Sequence, residues 1–393
     1  MTGACNKLRI GFIPLVDAAT LIVAVDKGFA RAEGLDVELV REVSWSNVRD
    51  KLNVGLFDAA HLLAPVAIAS SLGLGHIKVP IVAPFNLAMN GNAITVSLPL
   101  YARLRDVADG DLADPSTSAR ALAEIVRLRV GSGAEPLTFG MTFPFSTHNY
   151  QLRYWMATGG IDPDQDVRLV VLPPPYMMQS LSNGQVDGFC VGAPWNSLAV
   201  NASVGRILHF GVDIFAHAPE KLLALRESFA QSEPDTVAAL TRAHTKAANF
   251  VGLASNHEEV ATILARPDRV GVDANVILRT LGGRLRVASD GTERECSNYL
   301  LLGQNGAGRP DPRHAAWLYA QMLRWGQARH APGFLVAATR TYRPDLYDAA
   351  MEGDAMPAPT GEAIGAFSGP GFDDRDPVGY LKAFAIGCKY ARK

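Results

Sequence analysis

The sequence predicts an α/β protein with two lobes, the second inserted into the first. Strand-like and helix-like segments alternate along the first 84 residues, and a second alternating run extends from residue 114 to residue 210. Such alternation favours mostly parallel sheets with helices on both faces. With 393 residues, the chain also has room for two domains of ordinary size.

Each run resolves into short predicted elements. In the first run we predict the strands Lys7–Leu15, Asp36–Glu42, Ala59–Ala64 and Ile77–Pro84 and the helices Ala18–Glu33, Ser46–Leu56 and Val66–Leu72. In the second we predict the helices Asp114–Arg129, His148–Thr158, Met177–Asn183 and Trp195–Val204 and the strands Leu137–Thr142, Val167–Leu172, Asp187–Val191 and Ile207–Phe210. Longer helices, Glu233–Ala254 and Ala315–Gln327, and a polar tail from Asp354 to Val378 follow.

The two runs suggest the domain boundaries. Lobe 1 is expected to comprise residues 1–97 and 212–393, and lobe 2 residues 98–211, with crossovers near Ile94–Leu100 and Phe210–Asp213. Ligands of such sheets bind beyond the carboxyl ends of the strands, so two facing lobes would form a cleft.

Composition narrows the function. The chain has 37 Lys and Arg against 39 Asp and Glu, a formal net charge of −2 that does not indicate a nucleic-acid partner. No apolar stretch is long enough to cross a bilayer. The first residues lead directly into the first predicted strand without the pattern of a secretion signal, so we expect a cytoplasmic protein. The cysteines Cys5, Cys190, Cys296 and Cys388 lie far apart, without metal or redox spacing, so no cofactor or metal is expected.

The usual enzymatic motifs are absent from the sequence. It has no Gly-x-Ser-x-Gly elbow, no Gly-x-Gly-x-x-Gly after a strand and no phosphate loop ending in Gly-Lys-Ser/Thr. A binding protein is therefore a simpler prediction than an enzyme.

Several long stretches resemble one known family. They are "IGFIPLVDAATLIVAVDKGFARAEGLDVELVREVSWSNVRDKL", "MTFPFSTHNYQLRYWMATGGIDPDQDV", "VVLPPPYMMQSLSNGQVDGFCVGAPWN", "HAPEKLLALRESF" and "WLYAQMLRWGQ". Together they are similar to the nitrate- and bicarbonate-binding receptors of bacterial ABC transport systems, and to their cytoplasmic relatives, the NasS-type nitrate/nitrite sensors. The resemblance implies the two-lobed periplasmic-binding-protein-like (type II) fold with a ligand cleft between the lobes.

The resemblance also implies a ligand site. The family's nitrate receptors hold the anion with a Trp, a His, a Lys and a Gln, and these fall on Trp45, His148, Lys221 and Asn92. Asn92 departs from the family because it is one methylene shorter than Gln, and Ala193 stands where the family often has Glu. Bicarbonate receptors carry an acidic residue in the region of Lys221, which works with a bound calcium ion, so a lysine favours nitrate or nitrite.

The chemistry of these residue types suits a planar monoanion. Lys221 offers a positive charge, the Trp45 indole an N–H, and His148 lies at a predicted helix start after the candidate caps Ser146 and Thr147. Taken singly, each residue is more often packing or solvated surface than a ligand contact. Their joint match to the family pattern supports the site. Asp17, Thr20 and Ser46 are weaker candidates for the same cleft.

Three functions are compatible with these residues and with the family resemblance. The leading expectation is a cytoplasmic sensor that binds nitrate or nitrite and controls an ANTAR-type, RNA-binding antiterminator protein of nitrate assimilation genes. The alternative is a periplasmic nitrate-binding receptor of an ABC transporter. A third is an enzyme on the same scaffold, as in thiamine-pyrimidine synthases, but the Cys-rich motif of those enzymes is absent.

Overall fold

The computed structural model describes residues 7–303, 306–352 and 364–387. Cys5, Cys388 and residues 354–363 of the predicted tail therefore lie outside the described residues. Cys190 is buried, Cys296 is partly buried, and both thiols are free.

Strands and helices alternate as expected of an α/β protein. In chain order the strands are β1 Leu8–Phe12, β2 Val37–Arg41, β3 Ala59–Leu63, β4 Ile81–Asn90, β5 Asn92–Ser97, β6 Thr138–Met141, β7 Arg168–Val171, β8 Gly188–Gly192, β9 Gly205–Phe210, β10 Pro219–Arg226, β11 Arg284–Arg286, β12 Glu293–Glu295 and β13 Leu300–Leu301. The helices are α1 Ala19–Asp26, α2 Phe29–Ala32, α3 Trp45–Asn53, α4 Ala64–Leu72, α5 Leu98–Val107, α6 Pro115–Gly131, α7 Thr147–Thr158, α8 Met177–Ser182, α9 Trp195–Asn201, α10 Gly211–Ile214, α11 Glu227–Ser232, α12 Pro234–Val251, α13 His257–Ala265, α14 Ala274–Leu281, α15 Pro312–Arg324, α16 Phe334–Thr339, α17 Pro344–Met351 and α18 Pro377–Leu381.

The two larger sheets define the two lobes. Lobe 1 is built on the strand order β13-β4-β10-β3-β1-β2, and lobe 2 on the order β7-β6-β8-β5-β9. In lobe 1, Ile10 and Phe12 of β1 are buried together with the helices α1 and α12, and Leu62 of β3 is buried in a second apolar cluster that continues to Trp155 of lobe 2. The central strands are thus buried on both faces, which explains why they read as continuous apolar runs.

The expectation of mostly parallel sheets was wrong. β1 pairs in parallel with β2 and β3, and β6 with β7 and β8, but β10 runs antiparallel to β3 and β4, and β5 antiparallel to β8 and β9. Apart from β13, which pairs antiparallel with β4, and the separate pair β11–β12, each antiparallel pair includes β5 or β10, the strands that follow the two crossings between the lobes. A strand that enters a sheet directly from the other lobe does not need the crossover helix that makes neighbouring strands parallel.

Sheet membership locates the two crossings. β4 ends at Asn90 in the lobe 1 sheet, and β5 starts at Asn92 in the lobe 2 sheet, so the first crossing is at Gly91. This is several residues before the crossing expected near Ile94–Leu100, because β5 pairs with β8 and not with lobe 1. β9 ends at Phe210 in the lobe 2 sheet and β10 starts at Pro219 in the lobe 1 sheet, so the return to lobe 1 lies between these two residues.

Three local predictions differ from the structure. The predicted helix Ala18–Glu33 is interrupted, because Gly28 adopts a left-handed conformation with φ of 78° and separates α1 from α2. The strand predicted at Ile77–Pro84 starts later, at Ile81, and continues to Asn90. The helix α5 was not predicted, although Ser97 caps it by accepting a hydrogen bond from the Leu100 N–H.

The C-terminal segment, residues 364–387, packs across both lobes. On the lobe 2 side, the Tyr154 hydroxyl donates to the Ser368 carbonyl at 2.5 Å, and on the lobe 1 side Trp317 packs edge-on against Phe372, with ring centroids 5.3 Å apart. The guanidinium of Arg324 also lies 3.8 Å from the ring centre of Phe384. The segment therefore joins α7 of lobe 2 to α15 of lobe 1.

The helices have the dimensions of a globular protein. α12 is the longest in the described ranges, with 18 residues, and it includes Asp235, Arg242 and Lys246 on its polar side. Within these ranges, no helix combines the length and the apolar character needed to span a bilayer.

We predict that an alanine at Gly91 destabilises the crossing. Gly91 has φ of 86°, and an added Cβ would lie 2.7 Å from Leu300 Cδ1, so the variant combines left-handed strain with a clash in a buried place. We expect Gly91→Ala to lower the free energy of unfolding by about 2–4 kcal/mol. Urea unfolding followed by circular dichroism measures this loss.

Gly34→Ala is the matched control. Gly34 has a similar φ of 79°, but nothing lies within 4 Å of an added Cβ. We expect this variant to lose about 1 kcal/mol, which is the backbone strain alone. Equal losses in the two variants would show that the contact with Leu300 does not constrain the crossing.

Candidate functional site

A cluster of polar side chains lies between the lobes, at the carboxyl ends of lobe 1 strands. Asp17 lies in the turn after β1, His61 on β3, and Glu220 and Lys221 at the start of β10. Trp45 is the first residue of α3. Each of the five is at most 2% exposed, although four of them are charged or titratable. Buried groups of this kind need partners, so their contacts define the site.

Lys221 is the centre of the cluster. Its Nζ lies 2.8 Å from Asp17 Oδ2 and also forms an ion pair with Glu220. The other carboxylate oxygen of Asp17 lies 2.9 Å from His61 Nε2. The ammonium is therefore shared between two carboxylates, so the positive charge predicted for an anion is already matched by Asp17 and Glu220.

Trp45 forms one wall of the site. Its indole ring lies 5.4 Å from Lys221 Nζ and tilts against the His61 ring, with centroids 5.5 Å apart. Ser44 caps α3 by accepting a hydrogen bond from the Asn47 N–H, which fixes the start of the helix. The buried indole Nε1 has no hydrogen-bond partner among the described residues. It is thus a donor available to a ligand.

His148 approaches the cluster from lobe 2. It is the second residue of α7, whose N-cap Ser146 accepts from the Asn149 N–H. The His148 Nδ1 lies 3.1 Å from the Thr142 hydroxyl oxygen, and Nε2 lies 3.9 Å from Glu220 Oε2, which is beyond hydrogen-bonding distance. Among the described residues, this Nε2 has no hydrogen-bond partner.

Asn92 lies at the edge of the cluster. Its side-chain N–H group donates to Gln151 Oε1 at 3.1 Å, and Gln151 in turn donates to the Gly211 carbonyl at 3.1 Å. A methyl group added at Gly192 would lie 3.6 Å from Asn92 Oδ1 and 3.3 Å from Asp17 Oδ2. Asn92 and Asp17 thus lie on either side of the backbone at Gly192. The hydrogen bond from Asn92 to Gln151 also holds β5, the strand that follows the first crossing, to α7.

The ion pairs keep the acids ionised and the lysine charged. Burial alone raises the pKa of Asp17, but the charge of Lys221 and the contacts of His61 outweigh it and lower this pKa to about 2. Burial also works to raise the pKa of Glu220, yet His148 and Lys221 leave it below its ordinary value. Burial lowers the pKa of Lys221, but Asp17 and Glu220 raise it above the ordinary value.

Both histidines of the cluster are neutral at pH 7. Burial lowers the pKa of His148 to about 4, although the charge of Glu220 opposes this shift. Burial also lowers the pKa of His61, against the pull of Asp17. With two carboxylates, one ammonium and two neutral imidazoles, these five groups have a net charge of −1.

The arrangement combines matched charges with unpartnered nitrogens. Within residues 7–303, 306–352 and 364–387, no group of three His, Cys, Asp or Glu side chains is placed to hold a metal ion. Lys221 lies between the two carboxylates, where its ammonium neutralises them. The cluster offers unpartnered buried nitrogens from both lobes, Trp45 Nε1 and His148 Nε2. With its proton on Nε2, the histidine adds a second donor to the indole N–H.

Three of the four predicted site residues lie together. The structure brings Trp45, His148 and Lys221 to the cleft and Asn92 to its margin; their contact with a ligand stays a prediction. Sequence reasoning gave Asp17 little weight and did not select His61, Glu220 and Gln151. A signal for Gln151 was its position three residues after His148, on the same face of α7. A signal for His61 was its place in a fully buried strand, where an imidazole needs a partner.

Comparison with known proteins identifies the class of this two-lobed binding fold. A model of the NMT1-like family matches residues 3–265, more than half of the chain, and the chain belongs to that family. Its fold is that of a periplasmic binding protein, with mixed sheets and helices in two lobes. The resemblance stated from the sequence is thereby confirmed at the level of the receptor family.

Particular relatives are nitrate proteins. The chain is 30% identical over 392 residues to the nitrate/nitrite binding protein NrtA of Nostoc sp., covering 97% of this chain and 86% of that protein. The crystal structure of the periplasmic nitrate-binding protein NrtA from Synechocystis superposes with a TM-score of 0.88 at 27% identity, covering 98% of this chain and 99% of that one.

A third relative is a larger protein. The nitrate import ATP-binding protein NrtC of Synechocystis sp. is 34% identical over 388 residues, but the chain spans only 55% of its length. These relatives are named as binding and import proteins, in agreement with the prediction that the chain is not an enzyme. None of the three is named as a sensor of the NasS type.

We predict that the fold loses stability in mild acid. Burial lowers the pKa of His148, His209, His244 and His314 to about 4, whereas an unfolded histidine has a pKa of about 6.5. Between these values the unfolded chain binds protons that the folded chain does not. The free energy of unfolding therefore falls as the pH drops below about 6.5, by up to about 3 kcal/mol per histidine when pH 4 is reached.

Urea unfolding at about pH 7 and about pH 5, in a buffer without small anions, measures this loss. His244→Gln should reduce the difference between the two pH values, because His244 is buried in α12 away from the cluster. Replacement of the exposed His330 serves as the control and should leave the difference as it is. Equal stability at the two pH values would contradict the burial of neutral histidines.

Proposed function

We propose that the chain binds nitrate or nitrite in the cleft between its lobes, as the anion-binding component of an ABC import system. One observation supports this above others. The buried donors Trp45 Nε1 and His148 Nε2, from opposite lobes, lack hydrogen-bond partners in the described part of the chain, and both lie beside the buried Lys221–Glu220 pair. Unpartnered buried donors are costly, and a bound acceptor removes the cost.

The donor set fits a small planar anion. Nitrate and nitrite have only acceptor oxygens, so they match an indole N–H, an imidazole N–H and an ammonium group without needing an acceptor from the protein. The flat Trp45 ring, which packs against His61, would shield one side of the bound anion from water. The names of the two NrtA relatives, a nitrate/nitrite binding protein and a periplasmic nitrate-binding protein, support the same ligands.

Binding in this site requires the lobes to move. Trp45, Asn92, His148 and Lys221 are at most 1% exposed, so an anion cannot reach them in the conformation described. The hydrogen bond from the Thr147 hydroxyl to the Pro219 carbonyl, 2.7 Å long, joins the start of α7 to the start of β10 next to the site. We infer that opening breaks this bond and that closure around the anion restores it.

The sensor function predicted from the sequence uses the same site. It adds a cytoplasmic location and an ANTAR-type antiterminator protein that is released when nitrate or nitrite binds. The relatives' names support a receptor better than a sensor, and the sensor, its partner and its location stay predictions. A binding assay between the chain and such an antiterminator, with and without nitrate, distinguishes the two.

Calorimetric titration of nitrate, nitrite and bicarbonate tests the proposed function. We expect the wild-type chain to bind nitrate or nitrite. Lys221→Met should weaken this binding by about 100-fold, because a hydrogen bond to a charged group contributes about 1.5–3 kcal/mol. Trp45→Phe, which keeps a ring but removes the N–H, should weaken it by roughly tenfold.

Lys246→Met is the matched control. Lys246 is also ion-paired, with Glu33, but it lies half-exposed on α12. The Lys246→Met variant should bind nitrate as the wild type does. Circular dichroism of each variant shows whether the fold is kept. Absence of heat with all three anions, or equal binding by Lys221→Met and wild type, would refute the proposed function.

A further inference from the structure

We propose that Glu220 and His148 couple anion binding in the cleft to the uptake of one proton, which converts His148 to an imidazolium whose Nε2–H lies between Glu220 and the bound anion. This inference rests on the proposed function and adds to it. The site then takes a monoanion together with a proton, and Glu220 determines the charge of the ligand that the site accepts.

The charges of the cluster lead to this inference. Lys221 is already matched by Asp17 at 2.8 Å and by Glu220, and the carboxylates outnumber the ammonium by one. A monoanion added beside them would raise the negative charge of a site that is almost without solvent exposure. Water cannot screen charges there, so an uncompensated second negative charge is strongly unfavourable. One added proton returns the site to its charge before binding.

His148 is the group best placed to hold that proton. The titratable groups that face its imidazole are Glu220 and Lys221 from β10 and Asp17 from the turn after β1. His61 on β3 lies behind Asp17, with which it already pairs. His148 by contrast has an unpartnered Nε2, 3.9 Å from a carboxylate oxygen of Glu220.

The second nitrogen of His148 can accommodate both protonation states. In the neutral ring, with its proton on Nε2, the Thr142 hydroxyl donates to Nδ1 across 3.1 Å. In the imidazolium, Nδ1–H donates to the same hydroxyl oxygen, which rotates its hydrogen away. Thr142 thus satisfies the ring before and after proton uptake, so the proton can be gained without rearranging α7.

The sign of the pH dependence follows from this exchange. Burial lowers the pKa of His148 to about 4, which leaves the imidazole neutral before the anion binds. The negative charge of a bound anion raises this pKa, because it favours the imidazolium. Binding is then favoured at low pH and weakens as the pH rises. Where uptake of one proton is complete, the apparent association constant falls about tenfold per pH unit.

Two measurements on the intact chain test the inference. Titration of nitrate between about pH 6 and about pH 8, in buffers of different ionisation enthalpy, gives the number of protons taken up, and we expect about one. Nitrogen NMR of histidine-labelled protein shows which imidazole becomes charged, and we expect the His148 signals to move to imidazolium values when nitrate is added.

Glu220→Gln is the informative variant, because it removes one negative charge with little change of shape. We expect it to bind nitrate with uptake of less than about half a proton, and with an affinity that changes little with pH. Glu42→Gln is the control. Glu42 is also a buried glutamate of lobe 1, but it pairs with Lys51 outside the cluster, and its variant should take up about one proton as the wild type does.

The outcomes separate this inference from the proposed function. No binding of nitrate, nitrite or bicarbonate would refute both. Nitrate binding without proton uptake would overturn the inference and leave the proposed function intact. Uptake of a proton while His148 stays neutral would overturn the assignment to His148. Unchanged uptake in Glu220→Gln would overturn the role of Glu220.

Discussion

The buried ion-pair cluster around Lys221 is the constraint on which the arrangement of the site depends. Removing an ammonium and two carboxylates from water costs several kcal/mol per group, and only close mutual contacts offset this cost. Asp17, Glu220 and Lys221 therefore have to stay together, and this fixes the turn after β1 against the start of β10. Trp45 packs against the ammonium of Lys221, and His61 contacts the carboxylate of Asp17. The position of the indole therefore follows from the positions of these charges.

The same cluster lies where the lobes meet, which links binding to movement. His148 and Thr147 belong to lobe 2, whereas Glu220 and Pro219 belong to lobe 1, so their contacts join the two lobes next to the site. The C-terminal segment joins the lobes independently, through Tyr154 on α7 and Trp317 on α15. The lobes are thus held together both at the cluster and, at a separate place, by the C-terminal segment.

Sequence reasoning predicted the layers of the fold better than the pairing of its strands. Burial on both faces and helix caps such as Ser44 and Ser146 leave local signals, and these gave most elements to within a few residues. The antiparallel direction of β10 leaves no local signal in the sequence, because this direction depends on which lobe the chain has just left. Likewise, Trp45, His148 and Lys221 were recognised from long family stretches. The roles of Glu220 and His61 depend on their contacts with Lys221 and Asp17, two residues that the fold brings together from distant parts of the chain.

The charge of residue 221 explains why related sites can take different anions. A carboxylate in place of Lys221 would leave three buried acids, counting Asp17 and Glu220, without a cation among them. Such a cluster has to bind a cation or take up protons, and oxygen ligands of this kind suit calcium. This agrees with the acidic residue and calcium ion that the family resemblance associates with bicarbonate receptors. In this chain the Lys221 side chain itself supplies the positive charge. Its ammonium lies beside the Trp45 indole, whose N–H has no hydrogen-bond partner among the described residues. The lysine therefore gives this cluster a cation of its own, which a carboxylate at position 221 would not.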